Sequence, residues 1–195
     1  MMKKRMIFAT GNEGKMKEIR QILGDLDYEI LSMKEAGIDV EIIEDGKTFE
    51  ENAIIKAKTV MEACGEIVLA DDSGLEIDYL NKEPGVLSAR YMGEKTSYRI
   101  KNQILLDRLH GVPAVLRSAR FVCVIACAFP DGRIETRRAT IEGRIADEAA
   151  GENGFGYDPI FYYPEKGKTT AELSAEEKNE ISHRGKALRQ IREIL

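Results

Sequence analysis

Arg5-Met6-Ile7-Phe8-Ala9-Thr10, then Gly11-Asn12-Glu13-Gly14, then Lys15-Met16-Lys17-Glu18-Ile19-Arg20-Gln21-Ile22-Leu23 is the stretch on which the fold turns. The first segment reads as a buried strand and the second as a loop. Across the third, Met16, Ile19, Ile22 and Leu23 recur at helical spacing. A strand, a glycine loop and a helix set helix N-terminal amides against an anion. The loop is not a Walker A sequence, because the upstream glycine and the hydroxyl after the lysine are missing. Its glycines still permit close approach of amides, and Lys15 adds a point charge. Taken alone, the same residues also suit a plain turn.

The rest of the 195-residue chain continues the alternation. Residues 28–33 read as a second strand. Thr48 opens a long helix, with Glu51 completing a capping box and Ala53, Ile54, Ala57, Val60 and Met61 on one face. A short apolar strand at 67–70 runs into an acidic turn, Asp71-Asp72-Ser73-Gly74. Residues 75–80 alternate in strand fashion and 81–85 form a turn. A helix is expected over 98–109, a strand over 119–129, a hairpin turn at Pro130-Asp131-Gly132 and its return over 133–145. A glycine-rich loop at 151–156 precedes a strand at 160–163. The end is helical, with Ser174 and Glu177 as a second capping box and Ser182 as the cap of the last helix. No repeat, low-complexity segment or linker interrupts this pattern, which predicts one bilobed α/β domain over residues 1–195.

Composition narrows the function. Hydrophobic residues make up 43% and charged residues 32%, as in a soluble globular protein. No apolar run approaches the roughly 18 residues of a membrane span, so no membrane partner is expected. The basic start, Met1-Met2-Lys3-Lys4-Arg5, is followed by an apolar run of just Met6 to Ala9. That is shorter than the core of a signal peptide, about 7–15 residues, and predicts a cytoplasmic protein. A net charge of −5 argues against nucleic acid as a partner. Cys64, Cys123 and Cys127 fit no metal-site spacing. With two histidines in the chain, any metal must be held mainly by oxygen, which favours magnesium, manganese or calcium over zinc.

Five short strings could carry chemistry. Asp71 and Asp72 are costly to bury together unless a cation or water neutralises them. They suit an exposed turn, or a metal ligand and general base beside a strand end. Glu44-Asp45 suits solvated surface, or a second carboxylate for a magnesium ion on Asp72. The loop Thr10 to Lys15 is the third string. In Gly154-Phe155-Gly156-Tyr157-Asp158 the phenylalanine can present a ring face to a base, a contact of about 1–3 kcal/mol, or fill the core. Last, Lys178 and Ser182-His183-Arg184-Gly185 offer donors to one acceptor-bearing edge, or form an ordinary helix start. Together these are the parts of a nucleotide site.

In order along the chain stand Thr10-Gly11-Asn12-x-x-Lys15 with Glu18, Thr48-Phe49-x-Glu51-Asn52-Ala53-x-x-Lys56-Ala57, and Ala70-Asp71-Asp72-Ser73-Gly74-Leu75. Pro84-Gly85 with Ser88-Ala89-Arg90-Tyr91, Gly154-Phe155-Gly156-Tyr157-Asp158-Pro159, and Ile181-Ser182-His183-Arg184-Gly185 follow. From Met6 to the last helix the chain resembles the inosine triphosphate pyrophosphatase family, which hydrolyses noncanonical purine nucleoside triphosphates (ITP, dITP, XTP) to monophosphate and diphosphate. The resemblance implies an elongated, twisted, mixed sheet flanked by helices, two lobes with a central cleft, and a homodimer. It implies Mg2+ as cofactor, Asp72 as proton acceptor and metal ligand, and Glu44 as second metal ligand. It also implies substrate contacts from Thr10, Gly11, Asn12, Glu13, Gly14, Lys15, Lys56, Ser73, Phe155, Gly156, Tyr157, Asp158, Lys178, His183 and Arg184. A nonhydrolytic nucleotide-binding module and a pyrophosphatase for other modified nucleotides are the alternatives; Asp72, Lys15 and Glu44 speak for hydrolysis.

Overall fold

The computed structural model describes residues 4–195; Met1, Met2 and Lys3 of the basic start lie outside them. Among the described residues there are seven strands and five helices. The strands are β1 (Lys4–Phe8), β2 (Tyr28–Ser32), β3 (Ile67–Ile77), β4 (Ser118–Ala128), β5 (Ile134–Ile145), β6 (Phe161–Tyr163) and β7 (Lys168–Thr169). The helices are α1 (Glu13–Leu23), α2 (Phe49–Cys64), α3 (Tyr98–Arg108), α4 (Ala175–Ile181) and α5 (His183–Arg192). All seven strands join one sheet in the order β2-β1-β3-β4-β5-β6-β7. β1 lies parallel to β2 and β3, with Met6 opposite both Ile30 and Ile67. β5, β6 and β7 pair antiparallel, so the sheet is mixed.

Local chemistry explains the helix ends. Asn12 caps α1, its Oδ1 accepting from Lys15 N at 3.1 Å, so the helix begins at Glu13 and takes in Gly14 and Lys15. Met16, Ile19 and Leu23 are its buried face. Thr48 caps α2 in the expected box with Glu51, and Gly65 closes it in the left-handed region at φ 68°. Two polar residues, Asn52 and Lys56, share the buried face of α2 with Phe49, Ala53, Ala57 and Val60. Glu51 Oε2 also accepts from Lys47 N, and Gly46 N donates to Asn52 Oδ1 at 2.9 Å. A Cβ on Gly46 would lie 2.6 Å from that oxygen, so the segment before α2 can lie this close to the helix because residue 46 is glycine.

One expectation is corrected. Asp71-Asp72-Ser73-Gly74 is not a turn but the middle of β3, which runs on to Ile77 before a 3-10 turn at Asp78–Leu80. Aspartate and glycine are poor strand formers, but β3 is paired with β1 as far as Leu69 and neighbours β4 in the sheet, and sheet context overrides that preference. Of the strand expected over 75–80, residues 75–77 belong to this same element and 78–80 form the 3-10 turn. The Ser174 box forms as expected, and Ser182 stands between α4 and α5 with an extended backbone, directly before the first residue of α5.

The chain divides into two compact units, the first comprising residues 4–72, 123–139 and 184–195 of those described, the second 73–122 and 140–183. Each has its own core. In the first, Met6, Phe8, Met16, Ile19, Leu69, Ile125 and Leu188 pack together. In the second, Leu75, Ile77, Leu105, Phe121, Ile145, Ile160 and Phe161 do so. Among the described residues no helix is long and apolar enough to cross a membrane. Because the α2 cap satisfies helix amides that would otherwise be unpaired, Thr48→Ala should cost about 1 kcal/mol. Urea titration should show a lower midpoint at unchanged slope.

Candidate active site

The first unit holds two neighbouring carboxylates in different environments. Successive strand residues face opposite sides of a sheet, so Asp71 and Asp72 meet different partners. Asp71 is 1% exposed. It takes Lys15 Nζ at 3.0 Å and Arg184 Nε and Nη2 at 3.3 Å, while Arg184 Nη1 reaches Glu18 Oε2 at 2.6 Å. Burial works to raise the Asp71 pKa; Lys15, Arg184 and Lys56 more than offset it and hold the carboxyl well below the usual range. Burial likewise works against the Arg184 guanidinium, and Asp71 and Glu18 overcome it.

Asp72 has a weaker set. Asn52 Nδ2 donates to Oδ2 at 3.2 Å, and Lys56 Nζ lies 3.3 Å from Oδ1. Burial dominates here, with the negative charges of Asp71 and Glu44 adding to it, and the Asp72 pKa rises despite Lys56 and Asn52. Two adjacent carboxylates are thus pushed in opposite directions, and Asp72 has the higher proton affinity of the two. Lys56 Nζ is also 3.0 Å from Glu44 Oε2, so one ammonium faces both carboxylates expected to hold a metal. Among the described residues no group of three or more His, Cys, Asp or Glu side chains has the arrangement of a metal site.

At the start of α1, Thr10 Oγ1 accepts from Asn12 N at 3.1 Å, and Gly11 to Gly14 are exposed. Thr10 to Glu13 line one end of a groove of about 820 Å³ that continues along α1 past Lys17.

The second unit carries the aromatic string. Asp158 is its hub: Oδ2 accepts from Phe155 N at 2.8 Å and from Lys178 Nζ at 2.7 Å, and Oδ1 from Thr170 Oγ1 at 2.8 Å. Gly154 sits at φ +73°, and a Cβ on it would fall 2.2 Å from that same Asp158 oxygen. Lys178 Nζ stands 4.7 Å from the centre of the half-buried Phe155 ring. The His183 ring stacks on Phe121 at 4.9 Å, and Ser73 is half-buried on β3. Asn52 and Thr170 carry no expectation from sequence, although Asn52 lies one helical turn from Lys56 and that spacing places both on one face.

An α/β protein with an activated carboxylate among ammonium groups, and a glycine-flanked aromatic ring, has the equipment of a nucleotide-handling protein. The chain belongs to the Ham1 family, whose model matches residues 6–194. It is 51% identical over 191 residues to the dITP/XTP pyrophosphatase of Desulforamulus reducens, covering 98% of this chain and 95% of that protein. The structure of the Staphylococcus aureus Ham1 protein matches with a TM-score of 0.88 at 43% identity, covering 98% of this chain and 97% of that one. A HAM1 protein from Coxiella burnetii matches with a TM-score of 0.89 at 42% identity, covering 98% of both.

Asp71→Asn should leave Lys15 and Arg184 facing a neutral amide, and breaking a buried pair in this way costs about 3–5 kcal/mol. Because the folded-state pKa is depressed, the stability from Asp71 is complete above its unfolded pKa of about 3.9 and is lost as pH falls toward the folded value. Urea unfolding at several pH values should therefore show a constant gap between wild type and variant near neutrality, narrowing below about pH 4.

Proposed function

We propose that this protein hydrolyses noncanonical purine nucleoside triphosphates, dITP, ITP and XTP, to the monophosphate and diphosphate, and so cleanses the nucleotide pool. The observation that carries the reading is Asp72, a carboxylate of raised proton affinity held against Lys56 and Asn52. Full-length similarity to proteins named dITP/XTP pyrophosphatase supports the substrate class.

Water attacks the α-phosphorus, Asp72 takes its proton, and diphosphate leaves. Charge builds on the phosphate oxygens, so positioned cations carry much of the catalysis. Lys15, Lys56 and Lys178 are the cations for the triphosphate, with the amides at the start of α1. When Asp72 becomes neutral, Lys56 loses one of its two carboxylates just as that phosphate charge grows. Asp72 and Glu44 are hard oxygen donors and would be the residues to hold a magnesium ion. A magnesium ion there would polarise phosphate oxygens and acidify water.

Phe155 gives the base a ring to stack on, with Gly156, Tyr157 and Asp158 shaping its loop. His183 and Arg184 open α5, whose positive N-terminal end favours an acceptor over a donor. Hypoxanthine and xanthine present a 6-oxo acceptor there; adenine presents a 6-amino donor and leaves a partner unpaired, at about 1–3 kcal/mol. Cys64, Cys123 and Cys127 are thiols rather than disulfides, which suits a reducing cytoplasm. A homodimer is the assembly that the family resemblance implies.

A turnover panel of ITP, dITP, XTP, GTP, ATP and dUTP with magnesium tests the reading. The three noncanonical purines should release diphosphate fastest, and EDTA should abolish turnover until magnesium is restored. Asp72→Asn should lower kcat at least about 100-fold, the scale of general-base catalysis, at an unchanged melting temperature. Near-normal kcat in that variant, or orthophosphate as the product, would overturn the assignment.

A further inference from the structure

The second unit contains a buried lysine that the mechanism does not use. Lys101, in the first turn of α3, is 1% exposed. Among the described residues its ammonium forms no ion pair; it donates to Ala89 O at 2.6 Å and stands 4.8 Å from the centre of the Tyr98 ring. Burial lowers its pKa. A buried ammonium without a carboxylate costs free energy, so what it contributes lies in what it holds, here a charge-assisted bond to one carbonyl.

Its neighbours hold the aromatic loop. Asn102, also buried, donates from Nδ2 to Gly156 O at 3.1 Å. Tyr98 meets Tyr157 edge-on at 5.2 Å, and a Cβ on Gly156 would touch the Tyr98 ring at 3.7 Å. Tyr157 in turn donates its hydroxyl to Ser88 O at 2.7 Å, next to the Ala89 carbonyl that Lys101 grips. The contacts close a ring from α3 to Gly156 and Tyr157, to Ser88 and Ala89, and back to α3. Phe155 lies between this ring and the Asp158 hub, so both ends of its short segment are fixed.

We propose that Lys101 and Asn102 are positioning residues for base recognition, with the first turn of α3 holding Gly156-Tyr157 so that the Phe155 ring is presented in one orientation. This rests on the reading of Phe155 as the ring on which the base stacks. A loop held in place before the base arrives does not have to be ordered by binding, so loosening it weakens substrate binding more than the chemical step.

Asn102→Ala and Lys101→Met test this by two measurements. In steady-state hydrolysis of dITP each variant should raise KM about five- to tenfold, the effect of losing one hydrogen bond, with kcat within about twofold of wild type. In ligand-free hydrogen exchange, amides of residues 154–158 should exchange faster while those of β4 and β5 stay as in wild type. Unchanged KM with unchanged exchange would overturn the proposal. So would a fall in kcat at constant KM with faster exchange throughout residues 73–122 and 140–183, because that is general destabilisation. If the wild type does not turn over dITP, ITP or XTP, the proposed function fails on its own, and the exchange measurement still decides whether α3 holds the loop.

Discussion

The buried carboxylate of Asp71 is the constraint on which the first unit depends. Lys15 from α1 and Arg184 from α5 converge on it from positions 56 and 113 residues away in the chain. None of the three could be buried alone, because an unpaired charge in a protein interior costs several kcal/mol. Their mutual neutralisation lets β3 carry a polar tetrad through the middle of the sheet. It also fixes which way that tetrad faces, since a slip of one residue would exchange Asp71 for Asp72.

Asp72 owes its properties to that arrangement. With Asp71 taking two cations on one face, Asp72 is left on the other with one ammonium that it shares with Glu44. Burial then outweighs attraction, and the carboxylate becomes a stronger base than its neighbour. The segment carrying Glu44 is held by the bond that Gly46 N donates to the Asn52 side-chain oxygen, and Asn52 Nδ2 also donates to Asp72. One amide side chain thus orients Asp72 and anchors the segment that carries Glu44. The aromatic loop of the second unit shows the same economy. Asp158 satisfies a backbone amide, a hydroxyl and an ammonium at once, and a glycine at position 154 leaves room for it.

Much of this was legible in the sequence. The strand and helix of the opening stretch, both capping boxes and the hairpin after β4 follow from short-range chemistry: apolar spacing, a side-chain oxygen three residues before an amide, a proline and glycine at a turn. The site strings could be picked out because their compositions are unusual, and Asn52 could have been added from its spacing to Lys56. What failed was the acidic tetrad. Judged on local preference it is a turn; in the sheet it is a strand, because β3, begun beside β1 at 67–69, runs on through it as the neighbour of β4.

The sequence by itself determined which residues are helical or extended at strong signals, that the chain is an α/β protein, and which side chains could serve a nucleotide. Only the tertiary structure decided the state of each. Asp71 and Asp72 are the same residue type in adjacent positions, and no local rule separates their acidities. Their difference arises from which cations lie within about 3 Å of each. Those cations are brought there by packing of α1, α2 and α5, at sequence separations that local pattern does not encode.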